Sequence, residues 1–372
     1  MLVSRSVGLG STEIRFAPVC ACCPLSQMSE SEIPLSPPIP QPFRPIEVIV
    51  VRPQRPRYWL HILLLLLTFL TTSIVGAQLQ TNFNNGVPIF RTGDGSLPLF
   101  PIEWLFQSPA MLLRGIPFSL TLMTILLAHE MGHYFCALRY DVSATLPFFI
   151  PAPTLIGTLG AFIRIKSRIR SRVALLDIGI AGPIAGFIFA VPAAIVGLLL
   201  SQPSPPLMRD DVSVGFPLIF NILHGLLSSV SGTLKTNPLT ALNLHPVAIA
   251  AWVGMLATAL NLLPGGQLDG GHIIYSAFPR AHKYISLISI LALLPLAFTS
   301  WAGWLVWAVM LGLTGLRHPD VPSQPGLTAG RRKLAWFAVL LLILTFIPAP
   351  FNHGGLADIF KDAGVHIPFI SR

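Results

Sequence analysis

His129, Glu130 and His133 form an H-E-x-x-H sequence inside an apolar stretch that runs from Ile116 to Leu138. On a helix, positions 129 and 133 stand one turn apart on one face, so two imidazoles can grip one Zn²⁺. Glu130 lies beside them, where a carboxylate can take a proton from an attacking water. The bare motif also arises by chance on soluble helices, or as two packed histidines. Its surroundings argue against that reading, because ionisable groups at membrane depth are costly and those present usually serve function. A hydrolytic zinc site needs three protein ligands and one open position. Asp269, in Asn261-Leu262-Leu263-Pro264-Gly265-Gly266-Gln267-Leu268-Asp269-Gly270-Gly271-His272, is the natural third. Alone, Asp269-Gly270 is an ordinary turn dipeptide. At the same depth as the two histidines it reads as a ligand. Zn²⁺ with ionised Glu130 and Asp269 is neutral overall, so the cluster costs far less to bury than its members singly.

The elements that must position these groups are membrane spans. The 372 residues are 53% hydrophobic and only 10% charged, with mean hydropathy +0.69; soluble domains carry about a quarter charged residues. The excess of 24 Lys+Arg over 15 Asp+Glu would point to nucleic acid in a soluble chain. Here it follows the positive-inside rule, and no nucleic-acid partner is expected. Eighteen of the 24 basic residues fall in the N-terminal arm, 139–172, 280–283 and 317–333, which places these four stretches in the cytoplasm.

The expected fold is an all-α polytopic membrane protein of about seven transmembrane helices, with a small membrane-edge β-hairpin near the cytoplasmic face. Residues 1–57, polar and then proline-rich, make a flexible cytoplasmic arm. Within it, Cys20 and Cys23 have C-x-x-C spacing without the second pair that a zinc ribbon needs. Met28, before Ser-Glu-Ser-Glu, reads as an alternative start. Residues 58–111 hold the first span (58–77), a retained span rather than a cleavable signal, and an external loop from 78. A core, 112–275, contains spans at 112–138, 173–200 and 246–264. Accessory spans occupy 276–350, with a helical hairpin in 284–316 and a last span over 334–350, followed by a tail, 351–372. The run 216–227 is too short to cross a core of about 30 Å and reads as interfacial or re-entrant. His133 precedes Arg139 by six residues, about 9 Å of helix, so the site lies just below the cytoplasmic surface. Alternation in Ala161-Phe162-Ile163-Arg164-Ile165-Lys166, punctuated by Gly157 and Gly160, supplies the hairpin. Gly182 and Gly186 have G-x-x-x-G spacing for close helix packing. Asp177 is expected to pair with an arginine in 168–172, His272 to support the site from beside it, and His245 to play a structural part.

Taken together, His129-Glu130-Met131-Gly132-His133, Gly157-Thr158-Leu159-Gly160-Ala161, Ala181-Gly182-Pro183 with Gly186, and Asn261-x-x-Pro264-x-x-x-Leu268-Asp269-Gly270 resemble the site-2 protease family of intramembrane zinc metalloproteases (peptidase M50), over roughly 110–275. The resemblance implies His129, His133 and Asp269 as ligands of one Zn²⁺ and Glu130 as the catalytic acid/base. It also implies Asn261 as a helper near the site, and the Gly157–Gly160 region as a strand edge for substrate. The implied reaction is peptide-bond hydrolysis in transmembrane helices of other membrane proteins, which must unwind and pair with that edge. The implied setting is the lipid bilayer of a bacterial inner membrane, with a cytoplasmic N-terminus. Many bacterial members carry a PDZ domain between the third and fourth core spans. Residues 201–245 are too few for one, so the chain is similar to the compact, PDZ-less branch. The rival reading is a metal-ion or proton transporter using the same His/Glu/Asp cluster, although no internal repeat is visible. A catalytically dead membrane scaffold is disfavoured by the complete residue set. Substrate identity and oligomeric state have no signature in the sequence.

Overall fold

Helix α1 (Tyr58–Asn84) is apolar through its first half and continues past the expected end near residue 77. Its polar last turns hold themselves: Gln80 Nε2 donates to Asn84 Oδ1 at 2.9 Å and Thr81 Oγ1 to the Ala77 carbonyl at 2.8 Å. Such i,i+4 bonds extend a helix beyond its apolar run. In this computed structural model the described residues are 58–88, 109–204, 213–314, 318–322, 326–351 and 354–362, all within one unit. The arm, its cysteines and the alternative start lie outside them.

A 3-10 turn (Pro109–Gly115) leads into α2 (Ile116–Arg139), which has Pro117 in its first turn. Proline is pre-organised for a helix start. Here α1 and α2 touch backbone to backbone, and a Cβ on Gly115 would stand 1.9 Å from the Ser73 carbonyl oxygen. Helix α3 (Arg172–Leu199) is capped by Ser171, whose hydroxyl accepts from the Ala174 amide at 3.1 Å. Helix α4 (Leu218–Leu227) is the short apolar segment expected at 216–227, and α5 (Gly232–Thr236) follows. His245 caps α6 (Pro246–Asn261), its ring accepting from the Val247 amide at 3.3 Å. Then come α7 (Asp269–Ala277), the pair α8 (His282–Thr299) and α9 (Gly303–Leu313), α10 (Ala329–Thr345) and α11 (Leu356–Asp362).

Helices α2, α3 and α6 pack against one another as the central bundle, with α1 beside α2 and α10 across α3 and α6. Phe118, Leu122, Ile125, Leu198 and Trp252 are buried between them. Leu66, Leu120, Phe135, Ile188 and Ile288 are exposed on the outside, as a surface facing lipid requires. Four helical stretches are long and apolar enough to cross a membrane: Tyr58–Asn84, Pro109–Arg139, Arg172–Leu199 and His282–Thr299. Helices α6 and α9 are apolar but shorter. The protein is therefore mostly helical with at least four potential spans, and the seven-span count goes beyond this.

Two small antiparallel sheets complete the fold. β1 (Phe148–Pro151) pairs with β2 (Thr158–Phe162) in the register Phe148↔Phe162, Phe149↔Ala161 and Pro151↔Thr158, with a bulge between 149 and 151. The hairpin is present, but its second strand starts earlier than the 161–166 alternation. An isolated bridge, Ala144↔Ile165, accounts for the rest of that pattern. β3 (Gln202–Pro203) and β4 (Leu242–Asn243) form a minimal pair that closes the loop between α3 and α6.

Asp177 corrects one expectation. Its partner is Arg331 at the start of α10, with Nη2–Oδ2 at 2.9 Å and Nε to both oxygens at 3.1 Å, rather than an arginine in 168–172. The Tyr140 hydroxyl also donates to Asp177. A guanidinium fork arriving from another helix matches a carboxylate bidentately, and it ties α10 to the ends of α2 and α3.

Candidate metal centre

The site is built where α2, α3 and the α6–α7 turn meet. One turn of α2 carries His129, Glu130 and His133, all buried, at 5–6% exposure. Asp269 is the first residue of α7, reached after α6 stops at Asn261 and the chain folds through Leu262–Leu268. That turn is tight: a Cβ on Gly270 would lie 2.1 Å from the Leu262 carbonyl oxygen. Glycine here lets the chain double back and aim Asp269 at α2.

Three ligand atoms converge. Nε2 of His129 and Nε2 of His133 are 3.2 Å apart, and Oδ2 of Asp269 lies 3.3 Å from the first and 3.1 Å from the second. Zinc–ligand bonds of about 2.0–2.1 Å in a tetrahedron set an edge of about 3.3 Å between ligands. The observed triangle matches that edge on all sides. Nδ1 of His133 lies 2.7 Å from the Ile178 carbonyl oxygen, a contact it makes as an N–H donor. This leaves Nε2 as the lone-pair nitrogen for the metal and fixes the ring. Among the described residues this trio is the group able to hold an ion, and the donor set suits Zn²⁺.

Space for the imidazoles comes from α3. A Cβ on Gly182 would sit 2.1 Å from His133 Nε2, and one on Gly186 would sit 3.2 Å from His129 Nδ1. The expected role of these glycines in close helix packing therefore takes a specific form: they make room for the metal-facing rings. Gly132 returns the contact, since its Cβ would lie 2.5 Å from the Ala181 carbonyl oxygen.

Asn261 reaches the same point, with Nδ2 3.3 Å from His129 Nε2. The backbone amide of Ile163, just beyond β2, faces the Glu130 carboxylate. Two cavities meet here and share His129, Glu130, Ala161 and Asn261. One, of about 240 Å³, is bordered by His133, Gln267, Asp269 and His272; the other, of about 490 Å³, is lined mainly by apolar side chains. β2 runs along both.

The two hairpin glycines part company. Gly160, at φ +102, borders the larger cavity with open space where a Cβ would be. Gly157, at φ +78, instead packs on α1: its carbonyl accepts from Thr71 Oγ1 at 2.6 Å, and a Cβ would lie 2.7 Å from the Thr71 carbonyl oxygen. Its place is the docking of the hairpin, one step away from the site. His272 lines the smaller cavity without joining the ligand trio, its Nδ1 2.8 Å from His318 Nε2. Sequence reasoning missed His318 and Ile163, which are remote in the chain or act through backbone.

A helical bundle of membrane character thus carries a buried two-histidine, one-aspartate group with a glutamate beside it. Residues 117–298 match peptidase family M50. The Arabidopsis thaliana protein named "Probable zinc metalloprotease EGY1, chloroplastic" is 38% identical over 165 residues, 44% of this chain and 30% of that one. The Arabidopsis protein named "Probable zinc metalloprotease EGY2, chloroplastic" is 32% identical over 180 residues, 47% of this chain and 31% of its own length. The rice (Oryza sativa subsp. japonica) protein named EGY1 is likewise 38% identical over 165 residues, 44% of this chain and 28% of that protein. The chain thus spans about a third of the length of these relatives.

Proposed function

We propose that the protein is a zinc metalloendopeptidase that hydrolyses peptide bonds within or near transmembrane helices of other membrane proteins. The observation that carries this reading is the buried ligand triangle with Glu130 beside it, opening on two cavities along a strand edge. Zinc, when bound, polarises the scissile carbonyl and lowers the pKa of a water towards about 7. His129, His133 and Asp269 hold it, and the His133–Ile178 contact orients one ring. Glu130 takes a proton from the attacking water as the oxygen adds to the carbonyl carbon. As the C–N bond breaks, Glu130 delivers that proton to the leaving amine. The Asn261 amide is placed to donate to the developing oxyanion. A substrate helix cannot be cut while its carbonyls are tied in intrahelical bonds. β2 has β1 as its ladder partner on one side, and its other edge is available to pair with the unwound segment.

Other parts of the proposal rest on the sequence. The core of 112–275 is flanked by the arm, the first span, accessory spans and tail, with seven crossings and a cytoplasmic N-terminus favoured by the clusters of basic residues. The membrane is proposed to be a bacterial inner membrane on the reading of the sequence, whereas the named relatives carry a chloroplast location of their own. Transport fits less well. The ionisable side chains buried among the described residues are His129, Glu130, His133, Tyr275 and His282. Beyond the centre, Leu122, Ile125 and Trp252 present apolar surface where a transport path would need polar groups.

Glu130→Gln tests the reading. The variant should keep its zinc and lose cleavage of a model transmembrane substrate by at least about 10²-fold, the usual span for a general base. Undiminished cleavage would remove Glu130 from the chemistry.

A further inference from the structure

The larger cavity carries an inference that rests on the proteolytic reading and sharpens it. It opens directly from the metal centre, sharing His129, Glu130, Ala161 and Asn261 with the smaller one. Its volume of about 490 Å³ is within the usual range of small-molecule pockets, about 300–1,000 Å³. Its walls are apolar and aromatic: Trp252 and Ala257 from α6, Leu159 from β2, and Trp301, Trp307 and Phe351 from the accessory segments. Ala257 lies one helical turn before Asn261, on the same face. Trp252 stands nine positions before Asn261, about 13 Å further along the helix.

The aromatic wall is fixed in place. The Trp252 indole N–H donates to the Gly215 carbonyl at 2.7 Å. Phe351 packs on Trp252 and Trp301 with ring centroids 5.7 and 6.1 Å away. Trp301, Trp307 and Phe351 all lie beyond residue 298, where the family match ends. This wall is therefore supplied by the part of the chain that the family core does not cover.

We propose that this cavity is a side-chain subsite that selects a bulky aliphatic or aromatic residue next to the scissile bond, with Trp301, Trp307 and Phe351 setting its depth. The occupant follows from continuity. A strand laid along β2 passes Leu159 and Gly160 before it reaches Ala161 at the metal centre, so its side chains enter this cavity on one side of the cut. A transmembrane segment supplies such side chains. The smaller cavity sets Gln267, Asp269 and His272 among apolar side chains such as Ile165 and Leu268, and it lacks the aromatic wall of tryptophans. A small or polar side chain would leave the aromatic wall without contact, and in apolar pockets one methylene changes selection by about 10–200-fold.

The test uses purified full-length protein in proteoliposomes and a transmembrane substrate varied at each position flanking the cut, with products mapped by mass spectrometry. At one flanking position, Leu or Phe should be preferred over Ala by at least about 10-fold in kcat/KM. Ala257→Phe should collapse that ratio by at least about 10-fold, and Trp307→Ala should shift preference towards Phe and Trp, both variants retaining wild-type zinc content. If Ala257→Phe loses zinc, the Trp307→Ala ratio decides alone. Cleavage by the wild type with ratios that neither variant moves would overturn the subsite, as would an acyl chain retained in the cavity by native mass spectrometry during turnover. Absence of any cleavage by the wild type would instead overturn the proteolytic reading beneath it.

Discussion

The residues that position the ligands are as decisive as the ligands. His133 can face the metal only because position 182 has no side chain. Adding a methyl group would place a carbon 2.1 Å from His133 Nε2, so the ring would have to leave the position from which it faces His129 and Asp269. Gly182→Ala is expected to weaken zinc binding by about 10–100-fold, the range seen when the groups supporting a metal ligand are disturbed. It should also cost about 1–3 kcal/mol through overpacking. Gly186→Ala, whose Cβ would stand 3.2 Å from His129 Nδ1, should do less. Zinc titration of the two variants measures the order, and the reverse order would refute this role for α3. The convergence of His129, His133 and Asp269 was legible in the sequence because one motif fixes two histidines and the Pro264-Gly265-Gly266 turn marks the break before Asp269. The reason for Gly182 was legible only in part, since G-x-x-x-G spacing says that something approaches closely and not what.

At the scale of elements, periodicity found the helices and misjudged how they end and pair. α1 runs to Asn84 because its polar last turns bond to themselves, which apolar length does not reveal. β2 begins at Thr158 because β1 and α1 set its register, with Gly157 docked on Thr71. Alternation alone could not see either partner. Asp177 found Arg331 on α10 for the same reason: a contact between distant segments leaves no spacing to read. Crossing number also belongs to this scale. α6 and α9 are short for a bilayer of about 30 Å, yet α6 lies at the centre of the bundle and α9 packs on α8. If both cross, and α10 crosses as well, the resulting seven spans place the two chain ends on opposite faces. Protease accessibility of N- and C-terminal tags in oriented vesicles should find them on opposite sides, and a shared side would remove one crossing.

For the whole molecule, the arrangement divides the labour. The central bundle of α2, α3 and α6, with the α7 start, brings together the proposed ligands and Glu130. The hairpin lies along both cavities, and the accessory segments close one of them with aromatic rings. Burial in apolar surroundings makes the centre depend on its ion: without a cation, Glu130 and Asp269 are carboxylates placed together in a medium that penalises charge. On the proposed reading, residues from α2 and α7 join to hold one zinc that the reaction requires. Zinc content and X-ray absorption of the purified wild type and of Asp269→Ala test it most directly. About one zinc per wild-type chain is expected, with two imidazole nitrogens and carboxylate oxygen in its shell, and loss of both metal and cleavage in the variant. An active wild type free of zinc, or an Asp269→Ala protein with an unaltered metal shell, would contradict it.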